Sequence, residues 1–321
     1  MFKGNEKLKN YSVSGKAILF SAAISAISFP ALATTTNIPQ GNVVSSSVTL
    51  NTGDILTVEG LLNVTNGSDG SVIVNQYQGA TIVNSGTIKG TPADSTIAAY
   101  LSNGLNLNNS GLIQAAVGHG AEAAIEIVGA TNASIYNSGE VIFSGGFGLL
   151  AASASNSYIN NSGTISSGNY AYTSLDASNI TFVNSGTIVT TSGDYAFTVE
   201  SSTNISLENS GNIISYNQYG FRAAGAVNVS VTNTGSIIAN SETVILGTNN
   251  TLINSGLIQA TTEGQNAIHV TGNDTSIVLN KGTQLLGLIV VDDEVTGASL
   301  TMNHGAGASY AYSTSGDFTL I

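Results

Sequence analysis

Apolar and polar positions along this chain repeat at two nested periods. The short period is the alternation of a half-buried strand, as in Ile125-Glu126-Ile127, Phe197-Thr198-Val199 and Ile268-His269-Val270, where every second side chain faces the same side. The long period is marked by Asn-x-Gly, which begins at Asn84, Asn109, Asn137, Asn161, Asn184, Asn209, Asn233, Asn254 and Asn280, at intervals of 21 to 28 residues. Nine copies at such a period mean stacked structural units.

Laying the copies over one another by their Asn predicts the core. Two residues before it stand Ile82, Leu107, Ile135, Ile159, Phe182, Leu207, Val231, Leu252 and Val278, all apolar. Four residues after it stand Ile88, Ile113, Val141, Ile165, Ile188, Ile213, Ile237 and Ile258, with Gln284 as the exception. Twelve and ten residues before it come Val72 and Val74, Ile125 and Ile127, Phe197 and Val199, Phe221 and Ala223, and Ile268 and Val270, with Glu126, Thr198, Arg222 and His269 between such pairs. In the 21-residue copy Glu242 falls on the first of these positions, which implies a local shift of register.

Each copy therefore holds three short strands. Three strands and three turns in about 24 residues close one coil of a parallel β-helix, so the expected fold is an all-β solenoid of about ten coils. At ~4.8 Å per coil the nine Asn would span roughly 38 Å. The Gly suits a corner that needs positive φ or close backbone approach. The Asn tolerates the left-handed region, and stacked Asn side chains can form a ladder along the axis. Residues 34–70 read as an N-terminal cap and first irregular coil, with Asn51-Thr52-Gly53-Asp54-Ile55 as a degenerate first copy, because a stacked sheet needs its first edge covered. Residues 71–290 are the regular repeats, and 291–321 the C-terminal end of the stem. Ending on Phe318-Thr319-Leu320-Ile321, an apolar strand without a polar cap, leads to the expectation that the natural polypeptide continues.

Composition narrows the function classes. Only 8% of the 321 residues are charged, there is no Cys and no Trp, and Pro numbers three; with 42% hydrophobic residues, that is neither a disordered chain nor a collagen. Lys3, Lys7, Lys9 and Lys16 precede the apolar run from Ala17 to Phe29, and Ala31-Leu32-Ala33 supplies small residues for cleavage, so residues 1–33 read as a secretory signal. The run is shorter than the ~20 residues that span a bilayer. Removing it leaves three basic and eighteen acidic residues, a formal charge of −15 on 288 residues. With only Lys89, Arg222 and Lys281 basic, no nucleic-acid groove is expected. An exported chain without Cys must rely on packing and hydrogen bonds.

The candidate chemistry is sparse, and no cofactor is implied. Glu126 and His269 share a column but lie six coils apart, about 29 Å, too far to cooperate. Asp69, Asp94 and Glu122 each stand fifteen residues before their Asn on successive copies, with His119 nearby; stacked carboxylates ~5 Å apart would raise one another's pKa or call for a cation. Solvated turn residues are the alternative there. Asp292-Asp293-Glu294 reads as a solvated turn, since consecutive carboxylates on a strand point to opposite faces and no Gly-Gly-x-Gly-x-Asp repeat is present. His304 has no second His near it. Tyr100, Tyr136, Tyr158, Tyr170, Tyr172, Tyr195, Tyr216 and Tyr219 are the exposed aromatic candidates; an outer aromatic row can stack on sugars or bury against a partner, although scattered surface Tyr is the ordinary expectation.

A secretory signal followed by copies such as Asn161-Ser162-Gly163-Thr164-Ile165 and Asn184-Ser185-Gly186-Thr187-Ile188 resembles the passenger domains of Gram-negative autotransporters, the type V secreted proteins. The resemblance covers residues 34–321 and implies a right-handed β-helix, secreted to the cell surface and associated with the outer membrane. It also implies a β-barrel translocator there, either in a continuation of the chain or in another protein, because the repeats occupy the whole mature sequence. Catalytic members carry recognisable inserts, and neither a Gly-x-Ser-x-Gly elbow nor a Gly-Asp-Ser-Gly stretch occurs. The expected role is thus a non-enzymatic adhesin or stalk in attachment, autoaggregation or biofilm, with a host or abiotic surface, a glycan, a matrix or copies of itself as partner. The rival expectation is a carbohydrate-active β-helix enzyme, a lyase or hydrolase, using Asp94 and Glu122 as its acid pair.

Overall fold

The computed structural model describes residues 32–64, 71–75, 78–90, 95–115 and 123–303, together with the backbone of 312–314 and 318–320. Among them every regular element is a β-strand, and every ladder is parallel. The strands fall into three sheets, A, B and C, of 13, 11 and 12 strands, in which each strand pairs with those three places before and after it in the chain, except that the last two, Tyr312–Thr314 and Phe318–Leu320, pair with strands two places before them. One coil is Ser178–Asn184 in sheet A, Thr187–Thr190 in sheet B and Tyr195–Glu200 in sheet C, after which Thr203–Asn209 returns to sheet A. The result is the three-strand β-solenoid that the nested periods predict. Of residues 1–33, the stretch read above as a signal, only the last two are described.

The two main columns are real. Ile82, Leu107, Phe182, Leu207, Val231 and Leu252, and Ile88, Ile113, Ile188, Ile213, Ile237 and Ile258, are all fully buried. Each such side chain contributes about 1.5–3 kcal/mol relative to exposure. Register keeps like on like: Ile165, Ile188, Ile213 and Ile237 are successive partners in sheet B.

Three positions differ from the sequence alignment. Val278 is half-buried and faces out, because Leu252 is partnered by Ile277, and Asn254 by Leu279 rather than by Asn280. The cause is the corner: two residues separate the strands at Ser255-Gly256, but three at Lys281–Thr283, where Gly282 has φ +100°. Val74 likewise faces out, in line with Ala98 and Glu126, while Ile73 rather than Val72 lies in line with Ile97 and Ile125, and Asn75 takes the place expected for Val74. The expected degenerate first copy is displaced as well. Val58, not Asn51, lies opposite Asn84, and Leu62 lies opposite Ile88. The shift expected at Glu242 is present, with Val244 opposite Phe221.

The Asn form the expected ladder, but as strand residues rather than left-handed ones. Asn84, Asn109, Asn137, Asn161, Asn184, Asn209, Asn233 and Asn254 are buried, and each Nδ2 donates to Oδ1 of the next at 2.6–2.8 Å. Nδ2 also donates across the corner to a carbonyl of the next coil, as from Asn184 to Asn212 at 3.3 Å. The neighbouring Gly is required by close approach. A Cβ at Gly186 would lie 2.1 Å from the carbonyl oxygen of Gly163, and one at Gly211 equally near that of Gly186. The left-handed positions belong to a second, exposed Asn row at another corner, including Asn156, Asn179, Asn204 and Asn228 with φ of 51° to 59°, where Asn204 Nδ2 donates to Asn179 Oδ1 at 3.0 Å.

Candidate functional site

Polar and aromatic chemistry concentrates on the outer face of sheet C. The strand opens on an outward residue, turns two successive residues inward, and then alternates. In Tyr170–Leu175 the inward pair is Ala171 and Tyr172, both fully buried in the core. The small residues Gly148, Ala171, Ala196 and Gly220 recur at this bend, and a Cβ at Gly148 would lie 2.9 Å from the core methyl of Ile165. That bend explains why Tyr172 is not a surface residue. It packs between Phe182 and Phe197, with ring centroids 4.7 and 4.4 Å away, and burial pushes its phenol pKa well up.

The opening residues form a continuous outer row. Phe147, Tyr170, Tyr195 and Tyr219 occupy four successive coils, with centroid separations of 4.9, 5.5 and 4.9 Å and interplanar angles of 24°, 14° and 13°. Scattered surface tyrosines are therefore not what this face presents. The rings stack on one another, so they offer edges and hydroxyls outward. Burial pushes the Tyr195 phenol up to about 12, against the pull of Arg222. The signal for this row was in the sequence: all four residues lie fourteen positions before the next repeat Asn.

Charged groups continue the face along the axis. Arg222 pairs with Glu200 of the preceding coil, and its guanidinium carbon lies 5.4 Å from the Tyr195 ring centre. Glu242 takes the next place after Tyr219, and His269 bridges it to Asp292, with Nδ1 3.0 Å from Glu242 and Nε2 2.7 Å from Asp292. Burial pushes the imidazole down, but the hydrogen bonds and charges of the two carboxylates outweigh it and raise His269 to about 9. Burial pushes Glu242 up, and the hydrogen bonds from His269 and Asn266 with the His269 charge hold it below the usual range. Towards the amino-terminal end Glu126 is buried and accepts from Ser95 Oγ at 2.6 Å and from Tyr100 Oη at 3.4 Å. Glu126 and His269 share a column six coils apart, through Leu150, Thr173, Thr198, Arg222 and Ile245.

Tyr136 points outward, 42% exposed, on sheet A beside Tyr158 at 5.8 Å, and Tyr216 is 64% exposed. Asp292, Asp293 and Glu294 form an exposed turn beside a hollow of about 550 Å³ lined also by Thr248, Thr271 and Asn273. Among the described residues no three His, Asp or Glu side chains converge as metal ligands. Asp69, Asp94, Glu122, His119 and His304 lie outside the described residues.

The fold and this face define a parallel β-solenoid with its outward chemistry arrayed along one sheet. No protein-family model, curated protein or solved structure matches the chain.

Proposed function

We propose that this protein is an exported, surface-displayed β-helical passenger of the autotransporter type, acting as an adhesin or stalk in attachment or autoaggregation. The observation that carries the reading is the outer aromatic row of sheet C, where Phe147, Tyr170, Tyr195 and Tyr219 recur in register on four successive coils. An array of equivalent groups suits many weak contacts along a line, and such contacts add through multivalency. The charge deficit supports a partner that is a surface, a glycan, a matrix or another copy rather than a polyanion. The secretory signal and the Cys-free composition support life outside the cytoplasm, with a β-barrel translocator in cis or in trans.

The test is display of the full chain on cells that otherwise neither clump nor adhere. Increased attachment to abiotic and glycan-coated surfaces, or faster settling, is the expected outcome. Attachment and settling indistinguishable from cells without the chain would reject the proposal.

A further inference from the structure

We infer that Tyr170, Tyr195 and Tyr219 form a site for oxidative cross-linking, in which a dityrosine bond fastens one coil of the solenoid to the next. Parallel register fixes Tyr170 opposite Tyr195 and Tyr195 opposite Tyr219, so the Cα atoms are held about one strand spacing, ~4.8 Å, apart. The rings are nearly parallel and stacked, with interplanar angles of 14° and 13° and centroids 5.5 and 4.9 Å apart. All three are partly exposed on the outer face of sheet C, where a small oxidant reaches them. Coupling needs only a tilt that brings two ortho carbons together. The row is bounded on one side by Phe147, which has no phenol, and on the other by Glu242, so the reaction is confined to these three rings.

The co-reactant is hydrogen peroxide acting through a haem peroxidase. Each of two phenols gives up one electron and its hydroxyl proton, and the resulting phenoxyl radicals form a bond between ortho carbons. The two ortho hydrogens then move to the oxygens, restoring the phenols. Peroxide accepts the two electrons and two protons, leaving two water molecules and a protein lighter by two hydrogen atoms. A chain with no Cys has no disulfide with which to fasten its coils. This row supplies the equivalent covalent link.

The experiment treats the folded full chain with peroxidase and peroxide and maps cross-linked peptides by mass spectrometry, with N-acetyltyrosine as a control for oxidant activity. Expected are links within one chain joining Tyr170 to Tyr195 or Tyr195 to Tyr219. Tyr195→Phe keeps the ring and the stack but leaves Tyr170 and Tyr219 two coils apart, so these links fall to background; Tyr170→Phe retains the link between Tyr195 and Tyr219; Tyr216→Phe changes nothing. Matching melting temperatures of the variants exclude misfolding. Cross-links found only between chains or only at Tyr136, Tyr158 or Tyr216, links that survive Tyr195→Phe, or no dityrosine while N-acetyltyrosine couples, would each overturn the assignment.

Discussion

At the scale of single residues, this fold is intolerant inside its columns. Ile188 is fully buried with Ile165 and Ile213 as its neighbours along the axis, so Ile188→Asp places a charge where no polar partner exists. The expected loss is several kcal/mol, read as a large fall in melting temperature; an unchanged value would mean the column is misplaced. The Asn ladder allows a finer comparison. Asn184→Val leaves Asn209 Oδ1 buried without its donor and takes away an acceptor from Asn161, a cost of about 1–3 kcal/mol for the orphaned group. Asn84 Oδ1 already has no partner, because Val58 stands before it. Asn84→Val moves that orphan one rung along rather than adding one, so chemical denaturation is expected to show the smaller loss there. Equal losses at the two positions would mean that the ladder is not cooperative.

At the scale of strands and corners, the sequence carried the columns wherever corner lengths are constant. The Asn-x-Gly spacing located Ile82 to Leu252 and Ile88 to Ile258, because two residues turn each of those corners. It failed at Val278, where the corner after the strand holds three residues instead of two, and at Val74, where the strand lies one residue nearer its Asn; strict alternation then assigns the wrong face. It failed at Tyr172 because alternation breaks where Ala171 and Tyr172 both turn inward, an irregularity that small residues permit. The outer row was legible as a fixed offset of fourteen residues, yet seeing it as a stack needed the register. The ion bridge was not legible, since Glu242, His269 and Asp292 come from three coils and one of them sits at a shifted position. That bridge predicts a pH response. A histidine whose folded pKa is raised from 6.5 to about 9 contributes stability that is fully present below 6.5 and is lost as pH rises through about 9. Melting temperature is therefore expected to fall over that window, and His269→Ala to remove this part of the fall; a variant with the same alkaline slope as the parent would contradict it.

At the scale of the whole solenoid, stability is a sum of coils and of the interfaces between neighbours. Deleting residues 185–209, which number 25 and form one complete coil, joins Asn184 directly to Ser210-Gly211 and restores the same corner. The shortened protein is expected to keep its β-rich circular dichroism and cooperative unfolding, and to be shorter by about 4.8 Å. Deleting half as many residues leaves an incomplete coil, so that the strands on either side of the cut no longer lie over their own sheets, and no folded product is expected. Failure of the whole-coil deletion to fold would show that distant coils are coupled.

The amides of the buried Asn row all point one way, from Asn84 towards Asn254, where the last donates to Gly256 O and Thr283 Oγ1. Such a row has a sense, like a sentence, and can be lengthened only by words set in the same direction. A duplicated winding slipped in between Asn109 and Asn233 would find donor and acceptor waiting at its two faces, whereas one added at either terminus would meet a partner of another kind. Gene slippage can therefore vary the reach of this molecule in its middle while both ends stay fixed.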